Sequence, residues 1–133
     1  MKNILRRLIK IELNNGKKIW YFPDGELPPP GDEPLKGHES IIILNDNEGT
    51  ANVIMTLYFA DRDPIEDIKI TVTPKRVKCI RMDNPEHLGG VILPRETQYA
   101  AKLVSDIPVV IQYGRLDTRQ EKMAFYTTMG LSF

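Results

Sequence analysis

Along most of this chain, apolar and polar residues alternate with a period of two. In DIKITVT, Ile68, Ile70 and Val72 fall on one side and Lys69, Thr71 and Thr73 on the other, as in a strand with one buried face. The runs ESIIILN, ANVIMTLYFAD and EDIKITVTP are separated by DNEGT and RDP, and strands spaced this way predict an all-β sandwich or barrel. RVKCIRM changes phase. Val77 and Cys79 share one parity, Ile80 and Met82 the other, which predicts a bulge or a second buried face at a subunit contact. NPEHLGG reads as a turn or loop. QYAAKLVSD alternates poorly, and SDIP reads as the connection between it and a strand PVVIQY. The tail KMAFYTTMGLSF sets Met123, Phe125, Thr127 and Met129 against Ala124, Tyr126 and Thr128 and is read as a strand. A helix with Asp117 as N-cap and Gln120 in the capping-box position is the alternative there. Helices and strands do not alternate, so the expected fold is an antiparallel β-sandwich of about eight strands and not a doubly wound α/β sheet.

Two segments break the pattern. Residues 1–15 pair Ile4 with Leu8 and Leu5 with Ile9 at helical spacing, which predicts a short amphipathic helix packed on the body. A hairpin through Asn14-Asn15-Gly16 into KKIWYF is the alternative. The stretch PDGELPPPGDEP, Pro23 to Pro34, holds five of the ten prolines and is predicted to be an ordered or extended loop. Trp20 and Tyr21 precede it and His38 and Glu39 follow it, so aromatic and ionisable groups gather at its roots.

A length of 133 residues supports one core and one domain, taken as residues 16–133 with 1–15 as an extension. With 41% hydrophobic and 27% charged residues the composition is globular, and no apolar run is long enough to span a membrane. The amino terminus is interrupted by Arg6, Arg7, Lys10 and Glu12 and offers no small-residue cleavage site, so a cytoplasmic protein is expected. Cys79 is the one cysteine, which precludes an intramolecular disulfide and predicts a small buried hydrophobe. A net charge of zero argues against a nucleic-acid partner. Charge is uneven nonetheless: residues 1–18 are basic, whereas residues 24–48 hold seven acids against Lys36. Both stretches are expected to be solvated surface, with attraction between subunits or to an anionic membrane face as further options.

Phosphate loops, dinucleotide fingerprints, zinc-protease and CxxC motifs and a nucleophile elbow are all missing from the sequence, and no cofactor is expected. His38, Glu39, His87 and Cys79 could be imagined around a metal, but they lack ligand spacing, and adjacent strand residues such as His38 and Glu39 point to opposite faces. A glycosidase using Glu39 and Asp117 as its two carboxyls is the enzymatic alternative.

The charges in GRLDTRQ carry more information. An unbroken strand from Val109 puts Val109, Ile111, Tyr113, Arg115, Asp117 and Arg119 on one face, so the charged residues continue a core-facing row. Unpaired charge is costly to bury. Either Gly114 bulges and turns the row outward, or Asp117 is clamped between guanidinium groups. In both cases the side chains are held still. Fixed guanidinium donors, acceptors on Asp117 and Glu39 and a flat face on Trp20 suit a sugar or small polar acid. An ion-pair network at the end of the sandwich or at a subunit interface is the structural alternative, with Trp20 in the core.

Trp20 with the proline loop, His38-Glu39, Ile43 to Asn45, LYFADRDP, TVTPKRVKCIRMD, Ile107 to Gln112 and Arg115 to Gln120 together resemble the Anabaena sensory rhodopsin transducer family over residues 16 to about 130. The resemblance implies a soluble β-sandwich that assembles as a homotetramer, has no known catalytic chemistry, and binds partners or small molecules, sugars among them. The family takes its name from a member that relays a signal from a membrane-embedded photoreceptor, and the resemblance makes a membrane receptor a candidate partner here. The first fifteen residues precede the family's usual start. The expected function is thus non-enzymatic small-molecule binding or signal relay, through Trp20, His38, Glu39, Arg115, Asp117 and Arg119. A protein-interaction scaffold without a small ligand is the alternative.

Overall fold

The computed structural model describes residues 15–133. The expectations for residues 1–14, helix or hairpin, lie outside the described residues. The strands are β1 (Lys17–Glu26), β2 (His38–Asn45), β3 (Ala51–Phe59), β4 (Ile65–Val72), β5 (Arg76–Arg81), β6 (Gln98–Asp117), β7 (Ala124–Met129) and β8 (Leu131–Ser132), with one 3₁₀ turn at Pro85–Leu88. All pair antiparallel, as the alternation predicted.

One layer has the order β4-β3-β6-β1-β8; in the other, β2 lies between β5 and β6, and β7 closes the far side of β6. Strand β6 therefore belongs to both. Its first half pairs with β3 and β1, and its second half with β2 and β7. SDIP, expected to connect two strands, is instead interior to this one. Odd-numbered residues Tyr99, Ala101, Leu103, Ser105, Val109, Ile111 and Tyr113 stay inward throughout, so parity survives the passage between layers. The Asp106 carboxylate fixes the crossing by accepting from the backbone N–H and the side-chain amide of Asn52, both at 2.8 Å. Pro108 falls where the ladders change over, where its missing N–H costs little.

Between the layers lie Leu27, Ile41, Ile43, Met55, Leu57, Ile80, Met82, Leu88, Leu103 and Ile111, all buried. Buried Asn45 organises the turn after β2: its amide donates to the carbonyls of Gly49 and Val72 at 2.9 Å, and its oxygen accepts from the Asn47 N–H at 3.0 Å.

Four expectations are revised. Strand β1 runs through Pro23 to Glu26, because a register shift between Phe22 and Gly25 lifts the proline out of the ladder and β8 pairs only with Trp20 and Tyr21. Strand β5 has no bulge: it pairs with β2 in unbroken register, Ile80 faces the core, and Val77 and Cys79 are exposed on the outer face. Cys79 is therefore not a buried hydrophobe. Gly114 likewise carries no bulge. The tail is strand, as expected. Between β7 and β8, Gly130 lets the chain pass from one layer to the other: a Cβ there would lie 2.5 Å from the Tyr21 carbonyl oxygen.

The proline loop is tied down. Arg95 donates to the carbonyls of Pro28 at 2.6 Å and Gly37 at 2.9 Å, and the Thr118 hydroxyl donates to that of Pro30 at 3.2 Å.

Candidate functional site

Alternation along β2 turns Glu39 inward, where register sets it opposite Arg115 of β6. Its carboxyl is fully buried. The Tyr99 hydroxyl donates to Oε1 at 3.0 Å, while the Tyr113 hydroxyl and the Glu26 backbone N–H, the latter at 3.0 Å, donate to Oε2. Burial raises the carboxyl above its ordinary range, although these hydrogen bonds and Arg115 oppose the shift. The same burial, reinforced by Glu39, pushes both tyrosine hydroxyls upward.

Two residues beyond Tyr113 on the same face, the Arg115 guanidinium donates to the Glu26 carbonyl at 2.9 Å. Its other terminal nitrogen lies 3.8 Å from Asp117. Asp117 is bound more closely by Arg119, whose Nε donates at 2.9 and 3.0 Å, whose terminal nitrogen also donates, and whose backbone N–H donates at 3.0 Å. Hydrogen bonding by Arg119 holds the Asp117 carboxyl below its ordinary range. Of the two outcomes offered by parity, the clamp is the one found. Residue 26 joins the halves through its backbone, since its N–H serves Glu39 and its C=O serves Arg115.

The structure thus brings Glu39, Arg115, Asp117 and Arg119 into one bonded chain. His38 stands apart on the other face of β2, its Nδ1 2.9 Å from the Lys36 carbonyl. Trp20 is core: its indole N–H donates to the Lys17 carbonyl at 3.1 Å, and its ring stacks on Phe22 at 6.4 Å. It connects with Glu39 through Phe22 and then Tyr113, again 6.4 Å apart. Glu39, both of whose oxygens are engaged in the core, cannot approach a glycosidic oxygen. The imagined metal ligands are also dispersed: His87 Nδ1 accepts from the Arg81 N–H at 2.9 Å, Cys79 is on the outer face and Glu39 is inside.

The family described as Anabaena sensory rhodopsin transducer matches residues 15–132. The chain belongs to this family. A crystal structure of Thermotoga maritima 1070 is 32% identical and superposes with a TM-score of 0.80, covering 90% of this chain and 97% of its own. The Anabaena sensory rhodopsin transducer itself is 31% identical, with a TM-score of 0.66 over 76% of this chain and 99% of its own. No curated protein matches.

In this transducer-family chain, sequence reasoning missed Tyr99 and Tyr113 as partners of Glu39. Their shared odd parity along β6 was the available signal. It also missed a cavity of about 360 Å³ between β1 and the β7–β8 corner, floored by Phe22 and Tyr113. No residue type announces the part played by residue 26, because its backbone does the work. Among the described residues, no helix is long and apolar enough to cross a membrane.

Proposed function

We propose that the chain is a non-enzymatic, ligand-responsive signal-relay module working in the cytoplasm as a homotetramer. A small polar ligand, sugars being the first class to test, binds at Arg115, Asp117 and Arg119; buried Glu39 anchors this row from inside, Trp20 backs it from the core through Phe22 and Tyr113, and His38 lies on the other face of β2. Occupancy is passed to a membrane receptor. The rhodopsin in the name of the Anabaena neighbour suggests the kind of receptor, and family membership supports the relay role.

The observation that carries this reading is the inward row of β6 emerging at the mouth of the sandwich. Arg115 is held by the Glu26 carbonyl, and Arg119 keeps 54% of its side chain exposed while clamped on Asp117. Guanidinium donors fixed in this way are pre-organised for hydroxyls or carboxylates. A panel of sugars and metabolites is expected to raise the thermal midpoint of wild type but not of a folded Asp117→Ala protein. An equal shift in both, or none with any compound, would count against the reading. Sedimentation as a 15.2 kDa species at micromolar concentration would contradict the tetramer. Recovery of no membrane protein from the native host would contradict the relay.

A further inference from the structure

We infer a second binding site, for a small organic cation with an apolar body, in the cavity between β1 and the β7–β8 corner. The cavity measures about 360 Å³, within the range of small-molecule sites. Phe22 and Tyr113 form its floor, their rings 6.4 Å apart, and Met129 and Leu131 line its wall. The approach of β8 to β1 that creates it depends on Gly130, where any side chain would meet the Tyr21 carbonyl.

The polar groups select the ligand. Among the described lining residues Asp24 is the one that carries charge; its Oδ1 accepts from the Gln98 amide at 3.2 Å, and its Oδ2 has no hydrogen-bond partner among the described residues. Arg115, the nearest cation along β6, is turned to the Glu26 carbonyl and Asp117 and does not line the cavity. The hydroxyl of Thr128 donates to the Met129 carbonyl at 3.3 Å. A sugar would leave most of its hydroxyls unpaired against these walls, at a cost for each one desolvated. An ammonium group needs one carboxylate and has the aromatic rings of Phe22 and Tyr113 beside it, while its apolar body covers the wall. This site is independent of the polar-ligand site at Asp117.

The test is calorimetric titration of phenethylamine and benzyltrimethylammonium into the full chain, with 3-phenylpropionate, benzyl alcohol and glucose as controls. The two cations are expected to bind and the controls to bind at least about tenfold more weakly. Asp24→Asn, which keeps the shape of an exposed side chain, is expected to weaken the cations about tenfold or more. Thr128→Trp, which fills the cavity from the exposed strand β7, is expected to abolish binding. Asp117→Ala is expected to leave it intact, which separates this site from the one proposed above. Absence of cation binding at low-millimolar concentration, equal binding of the carboxylate, or affinity unchanged in Asp24→Asn would overturn the inference. Should Thr128→Trp fail to fold, Asp24→Asn and the ligand controls still decide it.

Discussion

The Tyr99 hydroxyl and the Glu39 carboxyl meet at 3.0 Å in the core, bridging the two layers of the sandwich. Three neutral donors surround this carboxyl, and among the described residues no cation forms an ion pair with it. Removing the acceptor should therefore cost more than the bonds are worth, since each donor is left unsatisfied. Glu39→Ala is expected to destabilise the fold by about 3 kcal/mol or more, and Tyr99→Phe by about 1 kcal/mol. Urea unfolding of both single variants and the double variant checks this, with strong coupling expected in the cycle.

The same carboxyl predicts a pH dependence whose sign differs from that of Asp117. Glu39 is raised above its ordinary value of 4.5, so the folded state retains its proton after the unfolded chain has lost it. Its contribution to stability is complete below that value and declines as pH rises through the folded value. Asp117 is lowered from 3.8, so its contribution is present above that value and is lost as pH falls through the folded one. Subtracting the stability–pH curve of Glu39→Gln from wild type should isolate a difference that falls with rising pH above 4.5. A flat difference would show that burial does not govern this group.

Asp117→Ala should be mild for the fold. Its chief partner Arg119 is half exposed, and such ion pairs contribute about 1 kcal/mol or less. A thermal midpoint within about 5 °C of wild type is expected, and a larger loss would assign the cluster to structure instead.

Gly130→Val should detach β8. A Cβ at residue 130 would lie 2.5 Å from the Tyr21 carbonyl and 2.9 Å from the Phe22 ring, so the strand must move. Faster amide exchange at the residues of β1 paired with β8, and a loss of about 1–3 kcal/mol, are expected.

Cys79 lies exposed on the outer face of β5 and should react with a thiol reagent in the native protein as completely as in the unfolded one. Protection that appears only at concentrations where sedimentation reports a larger species would map the subunit contact to β5.

Much of this architecture was legible in alternation. The one-sided burial of Ile68, Ile70 and Val72 and the inward row ending at Arg115 and Asp117 follow from period two. What failed did so for local reasons. Pro23 reads as a strand breaker until β1 is seen to lack a partner beside it. Cys79 reads as a small buried hydrophobe because a strand-forming apolar residue does not state which face is covered. His38 and Glu39 are adjacent in sequence, and so the backbone itself separates them. Tyr99 and Glu39 are 60 residues apart, and their contact depends on how two layers stack, which periodicity does not encode.

Because β6 is a member of both layers, the sandwich has no plane along which it can slide. At about 3.3 Å per residue, its 20 residues form a covalent rail of about 65 Å contour length. A push at Asp117 is carried along that rail past Tyr113 to the Asp106 crossing and on to Tyr99. The body must accommodate it by flexing peptide units rather than by parting two sheets.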